Sequence, residues 1–127
     1  MIENFLIINF IGKDDKIGLK FNNNFYIHEF NNSTKNNDKL VISILNILKK
    51  HKVNFNSDFS ILVNSGPGRF SSIRVSLAVA KGIKISKNIN FFGFKNSDLG
   101  HFSLENIEVL INKNLLEKNL IKPLYSR

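Results

Sequence analysis

The sequence predicts an α/β fold with a mixed five-stranded sheet and elements in the order β-β-β-α-β-α-β. Three short apolar or alternating runs, separated by polar turns, occupy the first 30 residues and indicate an antiparallel meander. Two helical segments then alternate with two further apolar runs, which is typical of parallel strands joined by helices. The 127 residues are 43% hydrophobic and 22% charged, so the chain can form one globular domain with its own core.

The first strand is predicted in the apolar run of residues 4 to 12, which ends in glycine. Residues 16 to 21 and 25 to 30 are expected to form the second and third strands. Between them, the run of three asparagines at residues 22 to 24 predicts a tight turn, because asparagine tolerates the left-handed backbone conformation. These three strands should therefore pair in sequential order.

The first helix is predicted over about residues 39 to 51, with Asn37 or Asp38 as its N-cap. Its basic last turn complements the negative end of the helix dipole. A buried strand is predicted at residues 59 to 64, and a second helix over about residues 70 to 86. Helix and strand should then alternate once more.

The fifth strand is predicted at residues 89 to 94, and beyond Ser97 the pattern weakens. A helix capped by Ser103 is favoured there, with a strand across residues 108 to 111 as the alternative. The residues at helical spacing are Leu104, Ile107, Leu110 and Ile111. We expect residues 1 to 98 to form the domain and residues 99 to 127 to form a short, helical C-terminal segment.

The composition excludes several classes of protein. No apolar run approaches the ~20 residues of a membrane span, and the N-terminus lacks the basic segment and cleavage site of a signal peptide. The absence of Cys excludes disulfides and thiolate sites, so a cytoplasmic protein is predicted.

The net charge of +8 raises the question of RNA binding, but the lysines are spread along a chain rich in Asn, Lys, Ile and Phe. Much of the positive charge is therefore attributed to the overall amino-acid composition of the chain rather than to an RNA-binding site.

The stretch NSGPGRFSSIRVSLAVAKG, residues 64 to 82, is the most unusual in the chain. A glycine turn before a helix exposes N–H groups that can bind phosphate, but the Walker and dinucleotide patterns are both absent. We therefore interpret Gly66, Pro67 and Gly68 as a structural hinge between strand and helix. No histidine pair suggests a metal site, and Ser65 lacks a GxSxG context. The sequence predicts no catalytic residue, cofactor or metal.

Both helices carry more apolar side chains than a helix packed on one face of a sheet requires. The apolar side chains of the first helix lie on nearly all sides of its axis, and the second helix has a ridge of small residues along one side. A protein–protein interface explains both features, and the alternative is that the C-terminal segment covers the helices. The predicted interface residues are Leu40, Val41, Ile44, Leu45, Leu48, Ser72, Ile73, Ser76, Leu77 and Ala80.

The residues GPGRFSSIRVSLAVAKGI resemble the signature of the TsaB (YeaZ) family, G-P-G-S-F-T-G-[LV]-R-[IV]-G-[LA]-x-x-A-K-G-[LI]. The identical positions are Gly66, Pro67, Gly68, Phe70, Arg74, Ala80, Lys81 and Gly82. The positions that depart from the signature are Arg69, Ser71, Ser72 and Ser76. At the end of the chain, Pro123, Tyr125 and Arg127 are similar to the family's closing P-x-Y-x-R.

This resemblance implies an actin-like/Hsp70-like ATPase (RNase H-like) lobe without catalytic activity. It implies a subunit that binds and activates TsaD for threonylcarbamoyl transfer to the adenosine next to the anticodon of ANN-decoding tRNAs. TsaD would be the heterodimer partner, contacted by the two helices, and the complex would reach tRNA. TsaE as a further partner, and a homodimer without TsaD, remain open. Arg74 would hold the hinge in place by hydrogen bonding to the hinge carbonyls or to an acidic residue of the partner.

Two departures from the family accompany the resemblance. Asn9, Phe10 and Ile11 stand where the family has an Asp-Thr-Ser-like turn, and the family's second lobe is largely missing. Two other functions remain open. A divergent TsaD-like transferase or sugar-kinase-type ATPase would need metal or phosphate ligands that the sequence lacks. A basic module could instead bind tRNA through its lysine-rich surface.

Overall fold

The computed structural model describes residues 2–31, 37–55, 58–118, 121 and 123–125. Its strands and helices follow the predicted order, including a helix near the C-terminus, with one further short helix directly after the fifth strand. In chain order they are β1 (Asn4–Asn9), β2 (Lys16–Phe21), β3 (Asn24–Glu29), α1 (Asn37–Lys50), β4 (Phe59–Asn64), α2 (Phe70–Lys87), β5 (Asn90–Phe94), α3 (Asn96–Leu99) and α4 (Leu104–Asn112). The predicted α/β class is confirmed.

The five strands form one mixed sheet in the order β3-β2-β1-β4-β5. β2 pairs antiparallel with both β1 and β3, whereas β4 lies parallel between β1 and β5. The turn between β2 and β3 consists of Asn22 and Asn23, whose φ angles are 52° and 66°. Two consecutive positive φ angles match the twist of a two-residue hairpin, so the predicted asparagine turn is confirmed.

Both faces of the sheet are covered, as the alternation of side chains along β1 illustrates. Leu6 and Ile8 point into a core shared with α1 and α2. Phe5 and Ile7 point the other way, into a core shared with α3 and α4. The molecule therefore has three layers, with the sheet between two sets of helices.

Three details differ from or refine the predicted elements. α1 begins at Asn37, so Asn37 and Asp38 lie in its first turn and the prediction that either is the N-cap is wrong. α4 covers the segment for which a strand was the alternative, and its N-cap is Ser103 as predicted, with the side chain accepting from the N–H of Asn106 at 3.2 Å. α3 was not predicted, because four residues are too few to show a helical period.

The segment after α4 returns along the edge of the sheet. The N–H and C=O groups of Glu117 and Gly93 exchange two hydrogen bonds of 2.8 Å. This pairing protects the outer edge of β5, whose backbone groups would otherwise be open to another chain. Among the described residues, no helix has both the length and the apolar character that a membrane span requires.

Candidate functional site

The hinge, Gly66-Pro67-Gly68, lies where the carboxyl end of β4 turns into α2. Backbone hydrogen bonds tie the surrounding loop to three neighbouring segments. The N–H of Arg69 donates to the carbonyl of Ile11 at 2.8 Å, and the N–H of Asn96 donates to the carbonyl of Gly66 at 2.9 Å. The N–H of Gly68 donates to the carbonyl of Leu124 at 3.1 Å. The loop therefore connects the segment after β1, the start of α3 and the C-terminal segment.

Close backbone packing explains why two positions of the hinge are glycine. At Gly66 the φ angle is +107°, and a Cβ atom would overlap the carbonyl oxygen of Leu124. At Gly68 a Cβ atom would lie 2.5 Å from the Cβ of Ile11 and 2.7 Å from its carbonyl oxygen. The peptide bond between Gly66 and Pro67 is cis. These contacts support the interpretation of the stretch as a structural turn.

The predicted hinge residue Arg74 contacts an aromatic ring. Its guanidinium carbon lies 5.2 Å from the centre of the Phe70 ring, within the range of a cation–π interaction. The Phe70 ring is in turn 4.6 Å from that of Tyr125. Arg74 is thus joined to the C-terminal segment through Phe70, and its hydrogen bonding to hinge carbonyls stays a prediction. Arg127, the last residue of the P-x-Y-x-R pattern, lies outside the described residues.

A buried amide network lies at the carboxyl ends of the three parallel strands. The side-chain N–H groups of Asn64 donate to the amide oxygens of Asn9 at 2.6 Å and Asn96 at 3.0 Å. The side-chain oxygen of Asn64 accepts from the N–H of Gly66 at 2.9 Å. Asn64 is therefore fully satisfied, as a buried amide must be. The network joins β1, β4 and the start of α3 beneath the hinge.

A polar pocket of about 440 Å³ opens beside this network and is lined in part by Asn9, Lys13, Asn96 and His101. Next to it, a carboxylate oxygen of Asp15 accepts from the N–H groups of Ile11 and Gly12 at 3.0 and 2.9 Å. Burial raises the pKa of Asp15, and these backbone hydrogen bonds offset part of that effect. The loop after β1 is therefore held by its own carboxylate.

The three histidines lie in different surroundings. His51 stacks on Tyr26 with ring centres 3.6 Å apart, and His28 packs edge-on against Phe30. Within the part of the chain that the structure describes, no three His, Asp or Glu side chains lie close enough to hold a metal ion.

An apolar groove of about 640 Å³ separates the outer surfaces of α1 and α2. We call it the α1–α2 groove. Val41 and Leu45 are 44% and 57% exposed along its α1 side. The lining residues are Val41, Leu45, Leu48, Lys49, Lys52, Val53, Phe55, Val79, Gly82, Ile83, Ser86 and Lys87. An exposed apolar surface of this size marks an interaction site or a ligand-binding groove.

Most of the predicted interface residues are buried within this chain. The side chains of Leu40, Ile44, Leu48, Ser72, Ile73, Ser76, Leu77 and Ala80 are all nearly inaccessible. The ridge of small residues on α2 faces the chain's own core, where the hydroxyl of Ser76 donates to the carbonyl of Ile73 at 3.0 Å. Of the predicted set, Val41 and Leu45 have exposed side chains. Of the predicted interface, the part that is open to a partner is therefore the part along the α1–α2 groove, and the small-residue ridge is closed.

Two groups of residues were missed by the sequence analysis. Val53 and Phe55 lie in an irregular segment after α1, where no periodicity marks them as part of a groove. Asn9 and Asn64 each end a strand, and polar residues at the carboxyl ends of parallel strands were a usable signal. The alternative in which the C-terminal segment covers α1 and α2 does not hold for α4, which packs on the opposite face of the sheet.

Comparison with known proteins gives one sequence relative and several solved structures with the same fold. No protein-family model matches the chain. The tRNA threonylcarbamoyladenosine biosynthesis protein TsaB of Buchnera aphidicola subsp. Baizongia pistaciae (strain Bp) is 42% identical over 57 residues, which cover 43% of this chain and 26% of that protein. The chain thus spans about a quarter of the length of this curated relative.

Two structures from Pseudomonas aeruginosa share the fold at 17% sequence identity. YeaZ superposes with a TM-score of 0.66 and covers 76% of this chain and 45% of its own. An uncharacterized protein with similarity to peptidase YEAZ superposes with a TM-score of 0.65, and the match covers 76% of this chain and 44% of that protein. At this identity the likeness concerns the fold alone.

Proposed function

The curated match and the shared fold support membership of the TsaB/YeaZ family over part of its length, and on this premise we propose that the chain is a non-catalytic subunit in tRNA threonylcarbamoyladenosine biosynthesis. It docks onto TsaD through the α1–α2 groove and thereby activates the threonylcarbamoyl transfer. The groove is the observation that carries the proposal. The chain reaches tRNA through the assembled complex, and TsaE is an open further partner.

The apolar lining of the groove supports docking of a helical partner. Leu45 and Val41 lie one turn apart on α1 and are both largely exposed, so the apolar side of a partner helix can cover them together. Burying a leucine-sized side chain stabilises a complex by roughly 1.5–3 kcal/mol. A groove with several such side chains therefore offers enough apolar surface for a specific complex, before the costs of association are subtracted.

The charges around the groove indicate what the partner should look like. Lys49, Lys52 and Lys87 all lie among the lining residues, and the ammonium group of Lys87 is 5.6 Å from the centre of the Phe55 ring. An apolar partner helix flanked by carboxylates would complement this arrangement and would be guided toward it. Carboxylates around the apolar contact of TsaD are therefore part of the proposal.

The carboxyl ends of the parallel strands, where α/β enzymes bind ligands, also favour a role without catalysis. Asn9 and Asn64 bond to each other there, and Asp15 is occupied by the N–H groups of its own loop. One oxygen of this carboxylate therefore holds the turn after β1.

The test compares two substitutions that differ in position and not in chemistry. Leu45→Asp puts a charge into the groove, whereas Ile85→Asp puts the same charge on α2 at a side chain that is 82% exposed and does not line the groove. Calorimetric titration against TsaD of the same organism should show Leu45→Asp weakening the affinity on the order of ten- to a hundredfold, since each ~1.4 kcal/mol is tenfold. Ile85→Asp should bind as the unmodified chain does. Equal affinities for both variants, or no binding of the unmodified chain, would refute the proposal.

A further inference from the structure

A second surface of different composition lies at the start of α2. Phe70 and Tyr125 are 51% and 42% exposed, and their ring centres are 4.6 Å apart with the planes tilted by 50°. Two adjoining aromatic rings that both reach solvent are unusual, because such rings normally contribute to a core. We call this pair, with Arg69 and Arg74, the hinge surface.

The arginines of the chain are concentrated at this surface. The sequence has only three arginines among 18 basic residues, and Arg69 and Arg74 both flank Phe70. The guanidinium of Arg74 lies 5.2 Å from the Phe70 ring, and the first turn of α2 has no acidic residue. The charge of Arg69 interacts with Asp15, whose carboxylate also accepts from two backbone N–H groups, so Arg74 is the arginine on which the inference depends.

We propose that the hinge surface binds unpaired nucleotides of a single-stranded RNA segment. Bases stack on aromatic rings and on guanidinium planes, and arginine also pairs with phosphate. The Arg74–Phe70–Tyr125 arrangement presents both kinds of plane beside cationic groups. Lys16 and Lys87 also lie over rings that belong to aromatic pairs. One ring of each of those pairs, Phe102 and Phe59, is buried, whereas Phe70 and Tyr125 are both exposed.

The hinge surface is separate from the α1–α2 groove. Phe70 begins α2, and Val79, the nearest residue of α2 that lines the groove, follows nine positions later, which corresponds to about 14 Å along a helix axis. One chain can therefore engage a protein through the groove and RNA through the hinge surface at the same time. The choice of RNA rests on the proposed function in tRNA modification. The RNA measurements below omit TsaD, so a failure of RNA binding leaves the groove assignment standing and can be told apart from a failure of TsaD binding.

The first measurement is fluorescence anisotropy with a labelled, unstructured 12-nucleotide RNA and the matching RNA duplex. The chain should bind the single strand several times more tightly than the duplex, because only unpaired bases can stack on the rings. Phe70→Leu keeps the apolar bulk and removes the ring, and it should weaken single-strand binding about tenfold. Ile85→Ala, a change to another exposed apolar residue of α2, should have no effect.

The second measurement separates the charge from the ring. The logarithm of the binding constant should fall with the logarithm of the salt concentration, with a slope that becomes less steep by about 0.7 when Arg74→Gln removes one phosphate contact. Phe70→Leu should weaken binding without changing this slope. Lys113→Gln removes the same charge beyond the end of α4 and should leave the slope as it is.

Several outcomes would overturn the inference. They are equal affinity for duplex and single strand, unchanged binding by Phe70→Leu, and equal salt slopes for Arg74→Gln and Lys113→Gln. A loss of TsaD affinity in Phe70→Leu with unchanged RNA binding would assign the hinge surface to a protein contact instead. Melting temperatures identify any variant that does not fold, and the Arg74→Gln slope then decides the matter without Phe70→Leu.

Discussion

The N–H of Leu124 donates a hydrogen bond of 2.7 Å to the carbonyl of Ser65, so the end of the described chain is joined to the turn that begins α2. Leu124 also accepts from the N–H of Gly68 on the other side of the hinge. The hinge and residues 123–125 of the closing P-x-Y-x-R pattern are therefore in direct contact.

Removal of the C-terminal segment should destabilise the hinge. A chain that ends at residue 122 loses both Leu124 hydrogen bonds and the Phe70–Tyr125 contact, and its free energy of unfolding should fall by about 1–3 kcal/mol. A chain that ends at residue 125 keeps these contacts and is the control. Urea unfolding of the two truncated chains measures the difference, and equal midpoints would show that the tail does not support the turn.

Gly68→Ala should lower stability by about 1–3 kcal/mol, because the new methyl group overlaps backbone and side-chain atoms of Ile11 that cannot move independently. The control is Gly82→Ala on α2, where a Cβ atom meets nothing within 4 Å. That substitution should stabilise the chain by about 0.5–1 kcal/mol, since glycine is a poor helix former. Thermal unfolding of both variants should therefore shift in opposite directions, and shifts of the same sign would contradict this packing.

Asp15 should make stability depend on pH. Burial raises its pKa above the ordinary value of 3.8, so the folded chain holds this proton more tightly than the unfolded chain does. The corresponding stabilisation is present below the unfolded pKa and is lost as pH rises through the folded pKa. Asp15→Asn keeps an oxygen acceptor and does not titrate, so its stability relative to the unmodified chain should increase from acid to neutral pH.

Chemical unfolding of Asp15→Asn and of the unmodified chain across that range measures this difference. Asp14→Asn, which removes the same charge from the exposed neighbouring residue, is the control. A stability difference for Asp15→Asn that does not change with pH would show that the carboxylate is not desolvated by the fold.

Ser76→Leu should destabilise the fold rather than weaken the binding of a partner. The side chain is fully buried and its hydroxyl is bonded to the carbonyl of Ile73, so a leucine overpacks the contact of α2 with the core. The cost is expected to be about 1–3 kcal/mol and to appear as a lower melting temperature of the isolated chain. An unchanged melting temperature together with weaker TsaD binding would return this position to the interface.

Local signals were sufficient for most of the fold. The turn at Asn22 and Asn23 follows from the tolerance of asparagine for positive φ, and the start of α4 follows from the capping side chain of Ser103. The direction of the α2 ridge could not be predicted in the same way. Small residues at helical spacing fit a core and an interface equally well, and burial of Ser72 and Ser76 depends on where the sheet and α1 lie.

Contacts between distant segments of the chain account for the other omissions. The Asn9–Asn64 hydrogen bond joins residues 55 positions apart, and its existence depends on the register of two parallel strands. Phe55 belongs to the α1–α2 groove only because the segment after α1 folds back toward α2. Neither relationship leaves a periodic trace in the sequence, so each required the assembled structure.

The most direct test of the central claim is amide hydrogen exchange of the chain alone and in complex with TsaD. Docking through the α1–α2 groove predicts slower exchange across residues 41–55 and 79–87, because a partner helix excludes water from those turns. Helix α4, on the opposite face of the sheet, should exchange at the same rate in both states. Protection concentrated on α4 with unchanged exchange in α1 and α2 would contradict the account.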